Sequence, residues 1–208
     1  MMQRSGDYVV GQETPESKRW HQHTAVEMTI SGIIGLLASM VLSIEAWELA
    51  KDSSARFSCD ISSVLSCSTV ATTPQAHLLG FPNAFLGILF ESVVLAISVA
   101  IFARVQFPRW YMICANLLYA IALFFAYWLF LQSYFVIHVL CPWCLCITVT
   151  TTLVFAGLTR INIRDGIIPA PDSLRHFVVK GFDWAIWGLI LFVIAAMLVA
   201  GYGVKLFA

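Results

Sequence analysis

Six cysteines occur in 208 residues, and four of them form two pairs whose spacing suits thiol chemistry. In Cys141-Pro142-Trp143-Cys144 the sulfurs lie three residues apart, and Pro142 stands where a helix takes its first residue. Two such sulfurs share one helix face and can close into a disulfide. Cys141 then sits at the N-cap, where unpaired backbone N–H groups and the helix dipole favour a thiolate. Cys144 lies about 4.5 Å deeper along the axis, on the side from which a lipid-soluble electron acceptor, such as a quinone, would arrive. The second pair, Cys59 and Cys67, is separated by seven residues in a polar stretch. Its spacing alone leaves open a structural staple or an exchangeable disulfide. A second pair within reach favours exchange, because two disulfides in contact form a relay. Cys114 and Cys146 have no partner at a motif spacing and read as packing residues.

Positioning these pairs falls to membrane helices. The chain is 60% hydrophobic and 12% charged, with a mean hydropathy of +0.83, more apolar surface than a soluble fold of this length could hide. Met28 to Ile44 and Trp184 to Val204 carry no charge, and Ala84 to Ala103 carries only Glu91. Each is long enough for a transmembrane helix of about 20 residues. Between Arg109 and Arg160 there is no charged residue, and one helix of that length would reach about 75 Å. A hairpin is therefore expected, turning near Gln132, Ser133 and His138, with spans over 110–131 and 140–159. The expected fold class is all-α integral membrane, with five spans.

Lys and Arg of short loops stay on the cytoplasmic side. Arg4, Lys18, Arg19, Arg104, Arg109, Arg160, Arg164, Arg175 and Lys180 fall on one side, against Lys51, Arg56 and Lys205 on the other. The N-terminus is expected in the cytoplasm and the C-terminus outside. Loop 51–83 and turn 132–141 then share the extracytoplasmic face, the compartment in which disulfides persist. Residues 1–24 read as a disordered cytoplasmic tail, 25–159 as the functional bundle, 160–183 as a cytoplasmic linker and 184–208 as the fifth helix. Basic and acidic residues balance at twelve each, so no charge excess points to nucleic acid.

After Cys67, Thr73 followed by Pro74 opens a short helix that Gly80 ends. With Leu78, Leu79 and Phe81 it could lie on the bilayer and roof a pocket. Asn83 either caps the next helix or offers its amide to a quinone carbonyl; the residues alone favour the cap. Glu91 is the lone charge inside a span and serves as a structural hydrogen-bonding group or a proton carrier. Glu45 and Glu48 read as headgroup-solvated. His77 and His138 are proton donors to a reduced quinone or interfacial residues.

Together these residues resemble the vitamin K epoxide reductase family, in particular its bacterial quinone-dependent disulfide-generating members. The resemblance rests on Cys59-Asp60, on Ser66-Cys67 with Thr73 six residues later, on Phe81-Pro82-Asn83 with Gly87 after it, and on Cys141-Pro142-Trp143-Cys144. It implies a four-helix bundle around a quinone, with the fifth helix packed outside. It further implies that Cys144 reduces the quinone and Cys141 is its partner. Cys67 would exchange with Cys141, and Cys59 would meet a thioredoxin-fold (DsbA-like) periplasmic protein. Asn83 would bind a quinone carbonyl, reversing the preference for the cap. Phe81 and Trp143 would flank the quinone, and Thr73 and Asp60 would support the loop. Menaquinone, ubiquinone or a vitamin K-type naphthoquinone would serve as acceptor.

Two departures bear on function. Thr148 stands where animal members carry a tyrosine, which argues against epoxide reduction. No thioredoxin-like domain follows the fifth helix, so the redox partner is expected to be a separate protein. The function implied is reoxidation of that partner with transfer of two electrons to quinone, needing no metal. The alternatives are reduction of a quinone or its epoxide, and a cysteine-rich metal-binding membrane protein, which the seven-residue gap fits poorly.

Overall fold

The computed structural model describes residues 15–206, with side chains from Arg19 to Gly203. Its elements are α1 (Pro15–Lys51), α2 (Cys67–Ala71), a 3₁₀ turn (Pro74–His77), α3 (Ala84–Phe102), α4 (Arg109–Gln132) running into a π-turn (Ser133–Ile137), α5 (Pro142–Arg164), α6 (Asp172–Val179) and α7 (Asp183–Leu206). Five helices are long and apolar enough to span a bilayer, within Arg19–Lys51, Ala84–Phe102, Arg109–Ile137, Pro142–Arg164 and Asp183–Gly203. The protein is a multi-pass, all-α membrane protein.

Helix α1 packs against α3 and α5, and α4 packs against α5. Small residues permit the close approach of these backbones. A side chain at Gly87 would run into Ser39, and a Cβ at Gly157 would lie 2.7 Å from Cγ of Met28. Helices α3 and α4 are joined where Tyr119 donates its hydroxyl to the Phe90 carbonyl at 2.9 Å. One half of the bundle is a filled core around Met28, Val94, Ile97, Met112, Tyr119 and Leu158. The half nearer the cysteines holds a cavity.

Helix α7 lies outside the other four. It is tied at one end by Arg160 against Asp183 (3.4 Å) and at the other by Tyr202 donating to the Tyr134 carbonyl (2.9 Å). Between these ties, Leu189, Phe192 and Val199 are exposed, as suits a surface solvated by lipid tails.

Two boundaries differ from the sequence expectation. Residues 15–24, read there as tail, already belong to α1, whereas 1–14 lie outside the described residues. Pro15 suits a helix start, and tertiary contacts hold the polar turns that follow: His21 meets Asp165 at 3.0 Å, and Arg164 stacks over Trp20. Within 160–183, expected as a linker, α5 runs on to Arg164 and α6 occupies Asp172–Val179. Arg160 does not end α5, because its guanidinium lies between the rings of Trp20 and Trp184 (5.3 and 5.0 Å) and can stay in the helix. Gly166 and Gly181, at φ of 70° and 80°, make the turns on either side of α6.

Candidate active site

The loop after α1 is organised by one carboxylate. Asp60 accepts hydrogen bonds from the Phe57 amide (2.9 Å), the Ser66 hydroxyl (2.7 Å) and the Ser68 amide (3.0 Å). Burial opposes its ionisation, but these donors outweigh burial and hold the carboxyl at about 2. Ser66 in turn caps α2 by accepting from the Thr69 amide. The result fixes Cys67 at the first residue of α2, disulfide-bonded to Cys59 with their Cα atoms 5.7 Å apart.

Backbone pairing delivers that disulfide to the second pair. Leu65 forms a parallel bridge with Leu140; the Ser66 amide donates to the Leu140 carbonyl (3.0 Å) and the Leu140 amide to Val64 (2.9 Å). Cys141 follows directly, so its sulfur reaches 3.4 Å from that of Cys67. Cys141 is the N-cap of α5 with Pro142 after it, and it accepts from the Cys144 amide at 3.3 Å. The expected helix start is thus present, and an N–H group points at the Cys141 sulfur. In this arrangement Cys59 and Cys67 are oxidised while Cys141 and Cys144 are free thiols.

Cys144 faces a cavity of about 150 Å³, room for far more than one water. Its walls come from α1, α3, α4 and α5, including Leu42, Phe90, Phe125 and Leu129, and loop residues 67–83 roof it. Of the residues singled out in the sequence, Cys67, Cys141, Cys144, Thr73, His77, Asn83 and Glu91 line this space. Phe81 and Trp143 do not. Phe81 stacks on Phe85 at 6.4 Å, and Trp143 packs against the buried sulfur cluster. The aromatic next to a motif follows the helix turn rather than the cavity, which sequence order does not reveal. Asp60 lies outside the cavity as well, and His138 takes a left-handed turn at φ 58° between the π-turn and α5.

Asn83 precedes α3 but makes no side-chain cap. Its Nδ2 donates instead to the Gln75 carbonyl at 2.7 Å, tying the loop roof to the helix, while its buried Oδ1 has no partner among the described residues. One N–H therefore remains for a carbonyl, and the oxygen is available to a hydroxyl. An apolar cavity with a thiol in its wall and such an amide beside it fits a quinone ring.

Glu45 is where the sequence reading fails. Expected at the headgroups, it is buried, with Oε1 3.3 Å and Oε2 3.6 Å from the Cys59 sulfur. A signal was present: Thr24, Ser31, Ala38 and Glu45 recur every seven residues and are all buried, so Glu45 continues a small-residue packing stripe. Glu48 behaves as expected, exposed and paired with Lys51 at 2.9 Å. Donor atoms of Glu45, Cys59 and Cys67 lie within 4.8 Å of one another. With the two sulfurs joined they offer a disulfide rather than two thiolates.

The profile of the vitamin K epoxide reductase family matches residues 26–159, well over half of the chain. The chain belongs to that family. The match begins within α1 and ends within α5, so it covers the four packed helices, both cysteine pairs and the cavity, and leaves α6 and α7 outside. No individual curated protein is similar enough to the chain to count as a match. Members of the family are membrane oxidoreductases that use quinones and generally work with thioredoxin-like partners. The family's membrane setting and redox chemistry agree with the five spans and the disulfide.

Proposed function

We propose that this protein is a thiol:quinone oxidoreductase that reoxidises an extracytoplasmic thioredoxin-fold protein and so supports disulfide formation in exported proteins. The observation that carries this reading is the unbroken order of sulfurs: Cys59 bonded to Cys67, Cys67 at 3.4 Å from Cys141, and Cys144 at the cavity wall. The arginines favour the same placement, since Arg104, Arg109, Arg160 and Arg164 belong to the end away from the cysteines.

The partner's thiolate attacks Cys59, and Cys67 leaves as a thiolate. The partner's second thiolate then closes its own disulfide and releases Cys59. Cys67 attacks Cys141 in the oxidised helix pair, releasing Cys144, and Cys59 attacks Cys67 to restore the loop disulfide. Electrons now reside on Cys141 and Cys144, the two motif cysteines that carry no disulfide bond in the structure. A quinone in the cavity supplies the final two-electron, two-proton acceptor. Asn83 would orient it through the free N–H of its amide, with Oδ1 left to accept from the hydroxyl of the reduced quinol, while Phe90, Phe125 and Leu129 would keep water away from the thiols.

Thr148 lines the cavity and donates its hydroxyl to the Cys144 carbonyl at 2.9 Å. A threonine there offers no phenol to an acceptor, which favours a quinone over an epoxide. Purified protein given a dithiol and a soluble quinone should consume both in equal amounts, and Cys59→Ala and Cys144→Ala should each abolish this. Normal turnover by either variant would overturn the relay, and turnover of a quinone epoxide at the quinone's rate would overturn the choice of acceptor.

A further inference from the structure

Electrons leaving a dithiol are accompanied by two protons, and the loop sulfurs are poorly placed to give them to water. Cys59 is 5% exposed and Cys67 1%. Two carboxyls stand beside them, in different circumstances. Asp60 has both oxygens committed, Oδ1 to Ser66 and Ser68 and Oδ2 to Phe57. Glu45, 7% exposed, has Cys59 as its hydrogen-bond-range partner, and no ion pair among the described residues includes it. The titratable groups facing Glu45 are Cys59, Cys67 and Asp60 from the loop, with Cys141 and Cys144 beyond them at the start of α5. All of them are acids.

We infer that Glu45 is a catalytic residue of the thiol-oxidising function proposed above, the group that takes the proton from Cys59 when the loop disulfide closes and returns it when Cys59 is released. Two acids this close in a dry site hold one proton between them rather than lose both. In closure, the Cys59 thiol gives its proton to the Glu45 carboxylate as its sulfur attacks Cys67 in the Cys67–Cys141 mixed disulfide. The Cys67–Cys141 bond breaks, the Cys59–Cys67 bond forms, and Cys141 leaves as a thiolate with the electron pair. One proton has moved from sulfur to carboxyl, and total charge is unchanged. When the partner's disulfide forms and Cys59 is expelled as a thiolate, the Glu45 carboxylic acid protonates it.

Closure can be measured without quinone or partner. In full-length protein carrying Cys141→Ser and Cys144→Ser, the reduced Cys59/Cys67 pair is oxidised by glutathione disulfide and followed by alkylation. Glu45→Gln, nearly isosteric and unable to take a proton, should slow closure by roughly 10²–10⁴-fold and move the acidic limb of the rate–pH profile up to the titration of the Cys59 thiol itself. Glu45→Asp should fall between the two and keep that limb where the parent has it. A Glu45→Gln protein that closes at the parental rate with the parental pH profile overturns the inference. Should Glu45→Gln not fold, Glu45→Asp decides, because its carboxyl is withdrawn by one methylene and an undiminished rate overturns the inference. Failure of the wild type to couple a dithiol to quinone would instead overturn the proposed function, and would leave the closure result standing by itself.

Discussion

The two cysteine pairs meet at 3.4 Å yet are held by opposite means. The helix pair is placed by secondary structure: a proline at the first turn, a sulfur at the N-cap and an apolar span behind it. The loop pair is placed by tertiary bonds, through the Asp60 carboxylate and the backbone bridge to Leu140. A helix start survives most substitutions around it. A loop clamped by one carboxylate does not, so the polar half of the site should be the more fragile and the more sensitive to pH.

Cutting the contact between the pairs should have the largest effect. Cys141→Ser leaves Cys59 and Cys67 able to close but removes the sulfur that receives their electrons, so quinone-dependent dithiol oxidation should fall to background. Alkylation should meanwhile still find the loop disulfide. Loosening the clamp comes next. Asp60→Asn removes the charged acceptor from bonds of about 1.5–3 kcal/mol each, and turnover should drop at least tenfold, with faster hydrogen exchange at the Phe57 and Ser68 amides.

The same carboxylate sets a pH window. Its value is lowered in the folded protein, so its stabilisation is complete above the ordinary carboxyl range near 4 and is lost as pH falls towards about 2. Protection of the Ser68 amide should decline across that window in the wild type and stay flat in Asp60→Asn.

On the cavity side the effects should be smaller and separable from the loop. Asn83→Ala should raise the KM for quinone about fivefold, the loss of roughly one hydrogen bond of 1 kcal/mol, with thiol exchange between the pairs unchanged. Phe81→Ala should change that KM least, since its ring stacks on Phe85 outside the cavity. An equal rise for both variants would show that the roof, rather than the Asn83 amide, governs binding.

Much of this could be read from the chain. Long uncharged runs can hide their backbone polar groups from lipid only as helices, and the Cys-Pro-Trp-Cys start follows from local rules. Arg160 and Glu45 escaped that reading for one reason: a charge was taken as a mark of exposure. Arg160 is enclosed by Trp20 and Trp184 from two other helices, and Glu45 by a loop that folds back over α1. Neither enclosure is visible within a window of neighbouring residues.

The sequence by itself determined five membrane helices, two thiol pairs and the likeness to a quinone-using family, because hydrophobic length, helix capping and cysteine spacing act over a few turns of chain. Only the tertiary structure decided which sulfurs touch, which side chains line the cavity and which carboxyl faces Cys59. Those contacts join residues tens of positions apart, and they depend on where close-packed helices leave space.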